Sequence, residues 1–147
     1  MILPVPVENL IPHKKPMCFV DRLVEVKGQG GTAEALVSNG QVVVDDDGHL
    51  ETLIMAEIIA QTYAAVKGFR DHLSGKPVKQ GLLVGIKKVI IHKPVIAGDR
   101  LRIEVNTVGS IAGFAVVKGV VTREDEVVAQ GKIKIWVKND EPEENED

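Results

Sequence analysis

An α+β fold, with a curved antiparallel sheet wrapped around one long central helix and a second copy completing it, follows from three features of the sequence. The segment TLIMAEIIAQTYAAV, residues 52–66, holds a single charge, Glu57, and its apolar residues cover more than one stripe of a helix. A helix apolar on most sides is wrapped by other structure. Beyond residue 80 the hydrophobic period changes to two, which marks antiparallel strands with one wet face. A flat sheet covers only one side of such a helix, so the sheet must curve, and its incomplete edge points to a dimer.

The elements follow in chain order. Residues 1–15 carry three prolines and read as an irregular arm with one short turn. Residues 17–26 (MCFVDRLVEV) read as a strand, GQGG at 28–31 as a turn, and residues 32–37 as a strand pairing back. DDDG at 45–48 is a polar turn that brings acidic charge to a helix start. The helix is expected from Glu51 to about Leu73, with Ile54, Ile58 and Val66 in the core, and GKP at 75–77 ends it. Residues 82–91, 101–106, 113–122 and 132–138 read as a four-stranded meander. Residues 139–147 (NDEPEENED) contain no apolar residue and are expected to be a disordered acidic tail. One domain over residues 1–138 follows, with no internal repeat.

Composition removes several function classes. Apolar residues make up 44 % and charged residues 27 %, the net charge is −3, and aromatics are only 3 %. Without a basic stripe or aromatic interleaving, no nucleic-acid partner is expected. The opening MILPVPVEN lacks a positive signal-type region, and no apolar run reaches eighteen residues, so no membrane association is expected. The single cysteine, Cys18, has no partner for an internal disulfide and reads as a small buried hydrophobe, in keeping with a cytoplasmic setting. There is no Gly-x-Ser-x-Gly, no metal-spaced His/Cys cluster and no glycine-rich phosphate loop, so neither a metal nor a bound cofactor is expected.

Glu57 then needs an account. It shares a helical face with Leu53 and Gln61. The plain reading is that this face reaches solvent or a subunit edge. The functional reading is a partly buried acid, its neutral form favoured by desolvation and poised for proton transfer. The pattern alone does not choose.

Three blocks carry a resemblance. MAEIIAQ at 55–61 resembles the helix motif of the beta-hydroxyacyl-acyl-carrier-protein dehydratases, an acid followed four residues later by Gln. LIPHKKPMCFVDRLVEV at 10–26 resembles that family's opening segment, and VGIKKVIIHKPVIAGDRLRIEV at 84–105 its third block, with Gly85, Pro94, Val95, Gly98 and Asp99 at the family's spacing. The resemblance implies the dimeric hot-dog fold and a 3-hydroxyacyl substrate carried on the phosphopantetheine of an acyl-carrier protein or coenzyme A. In that family a histidine of one subunit removes the α-proton, and the helix acid of the other protonates the departing hydroxyl. Amides at the helix start polarise the thioester carbonyl. Carried over, Glu57 is the acid, Gln61 its supporting neighbour, and Thr52 and Leu53 the substrate-binding helix start.

One part of the family pattern is missing. The family has Gly-His-Phe-Pro about fourteen residues before the acid; here that position is Val43, and the motif occurs nowhere. His13, in the proline-flanked PHKKPM, is the preferred candidate base, and His49, at the expected helix start, is the backup. His72 and His92 read as solvated and structural. The pattern looks most like a dehydratase-like subgroup, encoded with aryl-polyene lipid pathways, that lacks the usual histidine. The implied function is dehydration in fatty-acid or aryl-polyene type lipid synthesis. The alternatives are a non-catalytic acyl-carrier-binding partner of a complete dehydratase subunit and a hot-dog thioesterase.

Overall fold

The computed structural model describes residues 2–77 and 81–137; the acidic segment 139–147 lies outside them. Seven strands form one antiparallel sheet around one helix. They are β1 (Val5–Pro6), β2 (Arg22–Lys27), β3 (Gly30–Leu36), β4 (Gly81–Ile91), β5 (Arg100–Ile111), β6 (Phe114–Arg123) and β7 (Glu126–Val137). The helix α1 runs over Ile54–Leu73, and a 3-10 turn spans Val7–Asn9. The spatial order is β1-β2-β3-β5-β6-β7-β4.

That order corrects the expected meander. Of the four strands after the helix, only β5, β6 and β7 pair in succession; β4 stands at the far edge and pairs with β7, while β3 takes the place beside β5. Alternation fixes which residues are strands and which face is wet, but not which strand lies beside which. The expected strand at 17–26 is also shorter. Ladder pairing begins at Arg22, because the backbone at Met17 and Phe19 is bonded to a helix side chain instead.

The helix is wrapped as expected. Ile58, Ile59, Ala65 and Val66 are buried against Ile103, Val105, Val117, Val121 and Ile133 from the inner face of the sheet, and Ile54 packs half-buried against that core. The helix begins at Ile54 rather than Glu51. Residues 51–53 form a turn, with the amides of Ile54 and Met55 bonded to the carbonyls of Glu51 and Thr52, both at 3.1 Å. Leu53 is 75 % exposed. Gly75, at φ +71°, ends the helix as a left-handed residue without a Cβ penalty.

The arm is built into the body. Val5, Val7, Leu10 and Ile11 are buried, and the Val7 amide donates to the Asp21 carbonyl at 2.9 Å. Leu10 lies directly over Gly68 of the helix, where the lack of a side chain lets the two backbones approach. On the far side of the molecule Asp99 accepts from the Ile96 amide at 2.9 Å and from Arg123 at 2.8 Å, fixing the 94–99 loop to β6. Cys18 is buried; burial pushes its thiol up, and Sγ donates to the Val20 carbonyl at 3.4 Å, as befits a structural thiol.

A methyl at position 68 collides with the Leu10 carbonyl, a backbone atom that cannot swing aside. Gly68→Ala is expected to lower unfolding free energy by about 1–3 kcal/mol, the cost of overpacking. Chemical denaturation measures this, and proteolysis near the displaced arm should accelerate with it.

Candidate active site

The site is assembled by one side chain. Gln61 is 1 % exposed, and a primary amide buried that deeply must be bonded on both ends. Its Oε1 accepts from the Phe19 amide at 2.8 Å. Its Nε2 donates to the Met17 carbonyl at 2.8 Å and to Glu57 Oε2 at 2.9 Å. One helix turn separates Glu57 from Gln61, so the two side chains lie side by side on α1. The amide therefore ties the chain leading into β2 to the helix and holds one oxygen of the acid in place.

The arm brings the second group. It is held under the helix at Leu10, and the Lys14 ammonium bonds back to the Glu8 carbonyl at 2.6 Å. Between these anchors His13 turns inward, and its Nε2 stands 3.6 Å from Glu57 Oε2. Both side chains are slightly under one-third exposed. The distance is too long for a hydrogen bond, so the two groups face a common space without satisfying each other. The other ring nitrogen, Nδ1, is enclosed and has no hydrogen-bond partner among the described residues.

That space is a cleft of about 290 Å³ lined by His13, Glu57 and Gln61 on one side and by Leu82, Leu83 and Ile135 on the other. Ala60 and Ala64 complete the helix wall. Two proton-carrying groups facing Leu82, Leu83 and Ile135 across one cleft suit a substrate with a polar reacting end and an apolar chain.

The remaining candidates lie elsewhere. Thr52 and His49 line a separate surface hollow with Val42–Asp45, and Leu53 points outward. His49 is held by the 45–48 turn: Asp45 Oδ1 accepts from the His49 amide at 2.9 Å, and its ring lies 3.9 Å from that carboxylate. Asp45, Asp47 and His49 come close enough for a metal, but Asp45 Oδ1 already accepts from the amides of Asp47 and His49, which accounts for the cluster as a turn. His72 and His92 are exposed. Within one chain, then, Glu57, Gln61 and His13 are brought together, and His49, Thr52 and Leu53 are not. The sequence reading missed the β4 wall at Leu82 and Leu83. It also missed Ala60 and Ala64, whose one-turn spacing on the Glu57 face was the available signal.

The chain is similar to several known proteins. Residues 5–145 match a family model described as ApeP-like, ApeP dehydratase. A 3-hydroxyacyl-[acyl-carrier-protein] dehydratase FabZ from Acetivibrio thermocellus is 30 % identical over 143 residues, covering 91 % of this chain and 93 % of that protein. The enzyme of the same description from Myxococcus xanthus is 30 % identical over 129 residues, 84 % of each chain. Among solved structures, the dehydratase heterocomplex ApeI:P from Xenorhabdus doucetiae superposes with a TM-score of 0.85 at 21 % identity, over 92 % of this chain and 93 % of that one. Protein PH1136 from Pyrococcus horikoshii superposes with a TM-score of 0.65 at 19 % identity, covering 94 % and 96 %. The helix in its curled seven-stranded sheet is thus the hot-dog fold, and the chain belongs to the ApeP-like dehydratase family.

Proposed function

We propose that the protein removes water from a 3-hydroxyacyl thioester carried on the phosphopantetheine of an acyl-carrier protein or coenzyme A, leaving the 2-enoyl thioester, without a cofactor of its own. The observation that carries this reading is the pairing of His13 Nε2 and Glu57 Oε2 at 3.6 Å in one apolar-walled cleft. His13 takes the α-proton as the Cα–H bond breaks. The electron pair forms the double bond, the C–O bond breaks, and Glu57 gives its proton to the departing hydroxyl, which leaves as water. Passing a proton back from His13 to Glu57 resets the pair, and the short gap between them favours that return. Gln61 holds the carboxyl in position throughout.

The oxyanion contacts belong to a dimer in this reading. Leu53, an exposed apolar residue at the helix start, suits a covered interface, and Thr52 and His49 stand beside it. The edge that pairs is proposed to be β4, whose outer side has no neighbour in the sheet and which exposes Leu82, Val84 and Ile86. Localisation in the cytoplasm is part of the same proposal; no helix among the described residues is long and apolar enough to cross a membrane.

A second reading rests on the enclosed, unbonded His13 Nδ1. A catalytic histidine normally has its other nitrogen held by an acceptor, so this chain would serve as the acyl-carrier-binding partner of a complete dehydratase subunit. Mass spectrometry of a 3-hydroxyacyl-carrier incubated with the purified protein separates the readings. Loss of water supports dehydration. Release of the free acid indicates a thioesterase, and binding without turnover supports the partner role.

If the protein dehydrates, Glu57→Gln and His13→Ala should each lower kcat by about 10²- to 10⁴-fold, as loss of a general acid or base does. His49→Ala should leave kcat within about threefold, a change too small for loss of a proton carrier. An abolished rate in His49→Ala alone would transfer the base to that residue.

Gln61→Met removes three hydrogen bonds at nearly constant volume and leaves the buried Phe19 amide unpaired, a loss of about 1–3 kcal/mol. Denaturant unfolding reads the stability. Turnover at saturating substrate should fall as well, because Glu57 loses its support.

Light scattering at micromolar concentration should give the mass of a dimer or a multiple of it. A strict monomer there contradicts the β4 pairing.

A further inference from the structure

The outer face of the sheet, turned away from the helix and the catalytic cleft, carries three lysines in a row. Lys118 on β6 stands directly opposite Lys132 on β7, and Lys132 stands opposite Lys88 on β4. Their inward neighbours fix the orientation: Val117 and Ile133 are fully buried, and Gly119 sits against Ile59 of the helix. Neighbouring strands lie about 4.8 Å apart, so three ammonium stems are stacked at that spacing. Like charges directly opposite one another destabilise a sheet. None of the three forms an ion pair with a carboxylate among the described residues. Lys134, one step along β7, differs: it lies over the Phe114 ring at 5.0 Å.

Two β-bulges converge on this row. One lies between Ile86 and Lys88 of β4, the other between Thr107 and Gly109 of β5. A bulge leaves one residue unpaired and re-aims its side chain. Here the extra residues are Lys87 and Val108, and both line the same hollow as the lysine row. The hollow has a volume of about 550 Å³. Its apolar surface comes from Ile90, Val108, Ile111 and Val116, and none of the described acidic residues lines it. Val108 and Ile111 are both more than half exposed, a state in which apolar side chains gain from a covering ligand.

We propose that this hollow is a second binding site, separate from the catalytic cleft, for a single anionic amphiphile: a phosphate or carboxylate head on the lysine row and an apolar chain against Val108, Ile111 and Val116. Charge alone would not require the apolar wall, and the wall alone would not require four lysines. A second copy of this chain is a poor occupant, since its own row would face these lysines with like charge. Pairing at the β4 edge leaves the face open.

Isothermal titration of the full chain at low salt with dodecyl phosphate, below its micelle concentration, tests the site. The expected result is saturable binding of one molecule per chain, at least about tenfold tighter than inorganic phosphate because the chain buries apolar surface. Dodecyl maltoside, with the same chain and no charge, should bind at least about tenfold more weakly than dodecyl phosphate. Lys118→Ala/Lys132→Ala should lose about tenfold or more with turnover unchanged, and Val108→Ser should weaken dodecyl phosphate but not inorganic phosphate. Equal affinity for phosphate and dodecyl phosphate, binding undiminished in the double-lysine variant, or association with anionic phospholipid vesicles alone would each overturn the proposal. Far-UV circular dichroism confirms that both variants are folded.

Discussion

Everything at the candidate cleft depends on a buried primary amide. Gln61 saturates two backbone groups of the segment entering β2 and still has one proton for Glu57. The backbone at Met17 and Phe19 lies outside the sheet, whose first β2–β3 ladder pair comes at Arg22. Phe19 is buried, and its backbone N–H left unpaired would be costly. The amide solves that problem and the orientation of the acid at once. A carboxamide suits the task because it donates and accepts in one plane; a carboxylate could not donate to Met17, and an apolar side chain could do neither.

The rest of the fold brings the arm to that amide. Gly68 lets Leu10 lie against the helix, and Gly119 opens room on the sheet for Ile59, where an added Cβ would come within 2.6 Å of that side chain. These close approaches seat α1 deeply enough for Glu57 to be reached from both the arm and β4. His13 is therefore placed by packing along Val7, Leu10 and Ile11 more than by any bond to its own ring. The acid is held by a directional bond, whereas the imidazole is held sterically, and a sterically held ring keeps some freedom to follow a substrate.

Much of this was legible in the sequence, and the parts that were not have physical causes. Period-two alternation in β5 and β7 and the broad apolar cover of α1 report burial directly, so the curved sheet and central helix follow from them. Strand order does not, because alternation is the same whichever neighbour a strand has; β4 reads as the first strand of a meander and stands instead at the far edge. Glu57 was visible because a lone charge in an apolar helix is conspicuous. Its proximity to His13 is a long-range fact, set by the turn at Val7–Asn9 and the Leu10–Gly68 contact, with no local signature. The helix start was misjudged at Glu51 because the acidic turn suggested a cap, whereas the turn uses Asp45 to bind its own backbone and leaves residues 51–53 outside the helix.

The strand order also sets a timetable for synthesis. Ile91 pairs with Ala129 and Gly81 with Val137, so β4 emerges from the ribosome some 38 to 56 residues before β7, its one partner among the described residues. At typical translation speeds of roughly 5–20 residues per second, that is a wait of about 2 to 11 seconds. Throughout that interval an eleven-residue strand bearing Leu82, Leu83, Val84 and Ile86 has neither edge covered by its own chain. Neighbouring nascent chains on one messenger present the same strand at the same stage. The edge proposed to join two finished subunits is thus also a surface through which they can meet before synthesis ends, and dimerisation during translation would shelter β4 until β7 arrives.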